Sequence, residues 1–237
     1  MIWYQGESDA SRNLPELYPE RFAAMVQDYR DRIDQNYHDF PVFVMELTTE
    51  YSKPDSYTGD DWAYINVGRV RSYMGNIPSL VPNTFIAVSS GLWKNRQYTN
   101  QLHPYCKWPM AKRAVEIAMP VLYSSYTDEE LQNTGAPTYS ACLLAADNEV
   151  VLQFHFTGDG LKTSGGGEPA GFEILSCDDK WKAPESVVLA GDTVTVTSDE
   201  TICGVRYFGK TGSCYPEKVN VCSGSGVPMA AFCWIAQ

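Results

Sequence analysis

Three histidines occur in the chain, and one of them, His103, stands where chemistry can be done. It precedes Pro104 at an expected helix start and ends a polar loop that follows the apolar run Thr84-Phe85-Ile86-Ala87-Val88. Loops leaving the strands of an α/β sheet are where such proteins display reactive groups. A neutral imidazole there can take a proton from a serine hydroxyl and return it to a leaving alcohol. Taken alone, a single loop histidine equally serves as a cap or a packing residue. His38 ends an amphipathic stretch and His155 lies in a β-type run, so neither has this setting. A serine is available in Gly6-Glu7-Ser8, which has the Gly-x-Ser form, although few residues precede it to build a supporting strand. Trp93, in the polar loop Gly91-Leu92-Trp93-Lys94-Asn95-Arg96, is the tryptophan best placed to touch a substrate. Trp3, Trp62, Trp108 and Trp181 could stack on a ring-shaped ligand, but buried packing is the commoner use of tryptophan.

The elements that would position these groups change character along the chain. Before residue 130, apolar residues recur at helical spacing in Phe22, Met25, Val26, Tyr29 and Ile33, and again in Ile65, Val67 and Met74. Short apolar runs at 41–45 and 84–88 read as buried strands, and 104–121 reads as a further helix opened by Pro104. The alternation predicts an α/β region. After residue 135 the period becomes two, as in Val150-Val151-Leu152-Gln153-Phe154-His155-Phe156 and Thr193-Val194-Thr195-Val196-Thr197. Gly191-Asp192 between two such runs predicts a tight hairpin. Six glycines fall in 1–135 and twelve in 136–237, so the architecture is expected to change near residue 130, with the polar stretch Thr127–Pro137 as linker. The expected organisation is an α/β domain over 1–130 and a β-sandwich or jelly-roll-like module over 136–237.

A net charge of -11 opposes phosphate neutralisation and attraction to an anionic bilayer, which excludes nucleic acid and membrane surfaces as expected partners. No apolar run has the length of a membrane span, and the first residues lack the basic and apolar regions of a signal peptide. The seven cysteines form no CxxC pair and no cluster with zinc-ligand spacing, so no metal site is expected.

The string Ile2-Trp3-Tyr4-Gln5-Gly6-Glu7-Ser8-Asp9-Ala10 closely resembles the WYQGES(N/D)A block of the sialate O-acetylesterase family within the SGNH hydrolases. Arg21-Phe22 with Asp28-Tyr29-Arg30 resembles that family's RF...DWR helix, and Val81-Pro82-Asn83-Thr84 its strand before the catalytic loop. His103-Pro104-Tyr105-Cys106-Lys107 resembles its D-x-x-HP-x-x-K block. Gly171-Phe172-Glu173-Ile174, Trp181-Lys182-Ala183 and Val205-Arg206-Tyr207 resemble its C-terminal strands, so the resemblance runs through most of the chain.

The resemblance implies an SGNH-like, flavodoxin-like α/β fold, present in part, and a carbohydrate O-acetylesterase that needs no cofactor and acts on an acetylated sugar. His103 takes the acid/base role, and Gln5 and Gly6 line the oxyanion pocket. Where the family pattern has an aspartate three residues before the histidine, this chain has Asn100, and no Asp or Glu lies between Asp61 and Glu116. An amide in place of that carboxylate favours the wrong imidazole tautomer, so weak catalysis is expected unless folding supplies another acid. The family's Gly-x-Ser nucleophile segment precedes the YQGES block. The attacking serine is therefore expected to be absent from this chain, with Ser8 and Glu7 assigned elsewhere. The alternative expectation is a noncatalytic carbohydrate-binding protein or an inactive remnant, in which the β-module and aromatic loops persist.

Overall fold

The computed structural model describes residues 1–11, 15–33, 39–47, 62–90, 92, 107–123, 127–209 and 219–236. The first half builds a three-stranded parallel sheet from β1 (Ile2–Trp3), β2 (Val42–Met45) and β3 (Thr84–Ala87), in the order β1-β2-β3. Between the strands lie α1 (Glu7–Ser11), a 3-10 turn (Pro15–Leu17), α2 (Tyr18–Arg32), α3 (Trp62–Met74) and α4 (Ile77–Leu80).

Helices cover both faces of this sheet, which is why β2 reads as an unbroken apolar run. Val42 and Val44 turn to one side, onto Phe22 and Val26 of α2 and Val67, Val70 and Met74 of α3. Phe43 turns to the other, with Ala87, onto Met110, Ala114 and Ile117 of α5 (Trp108–Leu122). The start of α5 corrects the expectation from the sequence. Its first-turn proline is Pro109, which has no N–H to lose there, while Pro104 lies outside the described residues. Tyr29 of α2 is also displaced from the expected apolar face and is half exposed.

The expected linker is not a plain polar tether, because α6 (Asp128–Thr134) occupies most of it. Thr127 accepts the Glu130 N–H while the Glu130 carboxylate accepts the Thr127 N–H, the reciprocal pairing of a capping box. The helix closes on Gly135.

All later strand pairs are antiparallel: β4 (Thr138–Ala145), β5 (Glu149–His155), β6 (Lys162–Thr163), β7 (Phe172–Leu175), β8 (Trp181–Lys182), β9 (Ser186–Ala190), β10 (Thr193–Thr197), β11 (Gly204–Tyr207), β12 (Val221–Cys222) and β13 (Phe232–Ile235). They form sheets ordered β4-β5-β10-β9 and β13-β11-β7-β8, with β12-β6 as a separate pair. Alternate residues of the two larger sheets meet in one core: Val150, Leu152 and Phe154 with Val194 and Val196 from the first, Phe172, Ile174, Val205, Tyr207 and Phe232 from the second. The expected hairpin is present, since Ala190 pairs with Thr193 across Gly191-Asp192, and Gly191 has φ +60°.

Polar bonds join the parallel and antiparallel parts. The Asn76 side chain accepts from the Cys233 N–H and donates to the Cys233 carbonyl. Buried Arg71 donates to the Phe208 carbonyl at 3.0 Å and lies 4.0 Å over the Phe208 ring. Gly75 faces the Ala231 backbone so closely that a Cβ would sit 1.5 Å from its carbonyl oxygen. Only glycine fits there.

Candidate functional site

Gln5 and Gly6 leave the carboxyl end of β1 and lead directly into α1. The carboxyl edge of a parallel sheet is where ligands bind in α/β folds. Gly6 has φ +149°, and a Cβ on it would press within 3.1 Å of both Leu47 and Val70, so this turn requires glycine. Its carbonyl accepts from the Asp9 and Ala10 N–H groups and so starts the helix.

The turn aims Gln5 at a polar cluster. Its amide nitrogen donates to Asp9 at 3.2 Å, and Asp9 lies 3.6 Å from the Arg21 guanidinium. The Tyr18 hydroxyl donates to the Gln5 carbonyl at 2.6 Å and accepts from the Trp3 indole N–H at 2.9 Å. Burial pushes the Tyr18 phenol well above its ordinary value, with the Trp3 bond opposing. It therefore stays neutral and keeps its donor. Trp3, Gln5, Asp9, Tyr18, Arg21 and Phe22 line a cavity of about 160 Å³. A primary amide has two N–H donors, and Asp9 takes one of them. Ser8 is exposed on the first turn of α1, and Glu7 opens that helix.

The other loop of interest leaves β3. Trp93, Asn100 and His103 lie outside the described residues; the backbone that follows β3, up to Ser90, is held by two charged side chains. Glu46, buried at the end of β2, accepts from the Ser89 N–H (2.8 Å) and hydroxyl (3.0 Å), and its other oxygen accepts from the Ala231 N–H (3.0 Å). From α5, Arg113 donates to the carbonyls of Val88 (2.8 Å) and Ser90 (2.7 Å). Burial lowers the Arg113 pKa, with Glu46 and Glu116 acting against it. A carboxylate and a guanidinium thus hold the same stretch of backbone. Arg113 also walls a second cavity of about 300 Å³ with Glu116, Asn133 and Ser225.

The sequence assigns site roles to Gln5 and Gly6; Asp9 and Arg21 fall within family-like blocks without a role, and Tyr18, Glu46, Ser89 and Arg113 carry no motif. Asp9 had a usable signal, four residues after Gln5 at a helix start, where side chains i and i+4 meet. Glu46 had a weaker one, a carboxylate set between Met45 and Leu47 in an apolar run. Nothing local marked Arg113, whose partners lie 23 and 25 positions away.

A family model described as carbohydrate esterase, sialic acid-specific acetylesterase, matches residues 1–103, the stretch that includes the Gln5 turn, β1 to β3 and the segment reaching His103. Sialate O-acetylesterases of Homo sapiens and Pongo abelii are each 26% identical over 226 residues. The likeness is to the sialate O-acetylesterases. These alignments take in 90% of this chain and extend the sialate O-acetylesterase likeness beyond the parallel sheet into the antiparallel strands. The chain spans 41% of the length of those two curated relatives. In fold it is similar to a crystal structure of a carbohydrate acetylesterase from Xanthomonas citri, with a TM-score of 0.73 at 24% identity, covering 100% of this chain and 50% of that one.

Proposed function

We propose that this chain is part of a carbohydrate O-acetylesterase of the sialate O-acetylesterase type, hydrolysing acetyl esters on a sugar by a serine and histidine mechanism. The observation that carries the reading is the Gln5 turn. An amide with one N–H committed to Asp9 has its second N–H available for an oxyanion, and it stands at the carboxyl edge of a parallel sheet within the residues that match the esterase family. In this reading residues 1–130 are part of an SGNH-hydrolase-like domain and residues 136–237 a β-sandwich module.

Chemically, the serine hydroxyl attacks the acetyl carbonyl as His103 accepts its proton. The Gln5 amide and the Gly6 backbone face the negative oxygen of the tetrahedral intermediate. His103 then gives the proton to the departing sugar oxygen, leaving the acetyl group on serine, and water attacks that acetyl-serine with His103 as base to release acetate and restore the serine hydroxyl. Asn100 takes the orienting place beside the imidazole, and Trp93 contacts the sugar. The family's Gly-x-Ser segment supplies the attacking serine, with Ser8 kept as a structural residue of α1.

The test is acetyl-ester hydrolysis, with p-nitrophenyl acetate and with acetylated sialic acid. Residues 1–237 by themselves are expected to turn over barely above background. With the family's Gly-x-Ser segment placed before residue 1, activity is expected to appear. Gln5→Ala should then lower kcat about 10²–10³-fold. His103→Ala should lower it sharply, and Asn100→Asp should raise it. Robust turnover by residues 1–237 that vanishes in Ser8→Ala would move the nucleophile to Ser8. Indifference to His103→Ala would remove the mechanism.

A further inference from the structure

The turn after β7 and the bend before β11 bring two cysteines together. Cys177 follows β7 and is exposed, Cys203 immediately precedes β11 and is partly buried, and their sulfurs lie 3.0 Å apart although 26 positions separate them in sequence. The two strands are antiparallel neighbours in register Gly204↔Leu175, and the Cys203 N–H donates to the Leu175 carbonyl at 2.8 Å, so the backbone holds the pair in place. We propose that Cys177 and Cys203 are a site of disulfide formation, joined by exchange with a small disulfide oxidant of the glutathione type.

The other described cysteines are differently placed. Cys222 and Cys233 are buried, and burial pushes the Cys233 thiol up to about 11. Cys142 points its thiol at the Leu144 carbonyl at 3.2 Å. Only thiolates exchange, and access decides which one reacts first. Within the pair, the hydrogen bond that the Cys203 thiol donates to Cys177, with burial and the charges of Cys177 and Asp179, holds the Cys203 thiol above its ordinary range. Exposed Cys177 is therefore the attacking group.

Its thiolate attacks one sulfur of the oxidant, forming a mixed disulfide and expelling one small thiol. The Cys203 thiolate then attacks the Cys177 sulfur and expels the second. Two protein thiols lose two electrons, the oxidant's disulfide gains them, and both protons end on the small thiols. Closing the remaining gap to bonding distance takes a movement of about 1 Å, which falls on residues of a turn and a bend rather than on a strand ladder.

The experiment reduces the folded protein with excess dithiol, transfers it to buffer containing glutathione disulfide, blocks free thiols by alkylation and maps the peptides by mass. The expected result is a peptide containing Cys177 joined to one containing Cys203, lighter by two hydrogens than their sum, together with a thermal midpoint several degrees above that of the reduced protein. In Cys177→Ser, an exposed substitution that leaves the core intact, the difference in midpoint between oxidising and reducing buffer should disappear. Recovery of both cysteines alkylated, a lasting glutathione adduct on Cys177, or a midpoint difference that survives in Cys177→Ser would each overturn the proposal.

Discussion

The parallel and antiparallel regions are held together by different means. In the antiparallel part, the core is a packed set of rings: Phe232 stacks on Tyr139 and Tyr207 at 5.8 and 6.3 Å and meets Phe154 edge-on at 5.2 Å. In the parallel part, aliphatic side chains mixed with single rings such as Phe22 and Phe43 fill the two faces of a small sheet, while the strand ends are fixed by charged groups on backbone, Glu46 on Ser89 and Arg113 on Val88 and Ser90. The difference follows from topology. A hairpin fixes its neighbour locally, whereas parallel strands joined through helices need long-range contacts to set where their loops depart. Loops that carry chemistry must be fixed in direction, and hydrogen bonds supply direction where apolar packing does not.

The contrast predicts where each region breaks. Phe232→Ala should be the most damaging change in the antiparallel part, costing roughly 3–5 kcal/mol in denaturant unfolding, because it opens a cavity bordered by several rings that cannot collapse together. A cost near that of a surface substitution would mean that the ring cluster is not what holds the two sheets together.

Glu46→Ala should cost about 3 kcal/mol, since the Ser89 N–H, the Ser89 hydroxyl and the Ala231 N–H would all lose a charged acceptor in a buried place. Glu46→Gln, which keeps an acceptor, should cost less. Equal costs for the two would show that shape, not hydrogen bonding, is what matters at this junction.

Gly6→Ala should cost about 1–3 kcal/mol from its unusual backbone angle and the pressure on Leu47 and Val70. Amide exchange is the sharper measurement here. Protection should fall first in α1, which starts from the Gly6 carbonyl, and not in the β5-β10 ladder.

Thr127→Ala, which removes half of the capping box, should cost about 1 kcal/mol. If α6 works as a helix rather than a tether, the loss should also appear as reduced helical circular dichroism.

Much of the antiparallel region was legible beforehand for the same reason that it is stable. Val194 and Val196 alternate with threonines, Val150, Leu152 and Phe154 stand at every second position, and that period of two survives as the buried pattern of β5 and β10. Thr127 and Glu130 also carried the capping-box signature in the sequence, yet the polar composition around them reads as linker. Of the candidate site, the Gln5-Gly6 turn was legible from its motif. Tyr18 was not, and Arg21 was legible only as part of the RF motif and not as a neighbour of Asp9, because both arrive from the next helix.

The sequence by itself determined the two periodicities, the change of architecture near residue 130, the tight hairpin at Gly191-Asp192 and the esterase-like block at Gln5. All are local patterns, readable because neighbouring residues in the chain impose them. Only the tertiary structure decided that Asp9 and Tyr18 hold Gln5, that Glu46 reaches Ala231 across 185 positions, and that Cys177 meets Cys203. Those pairings depend on how helices and sheets stack, and a buried carboxylate or a thiol carries no mark of its distant partner in the residues beside it.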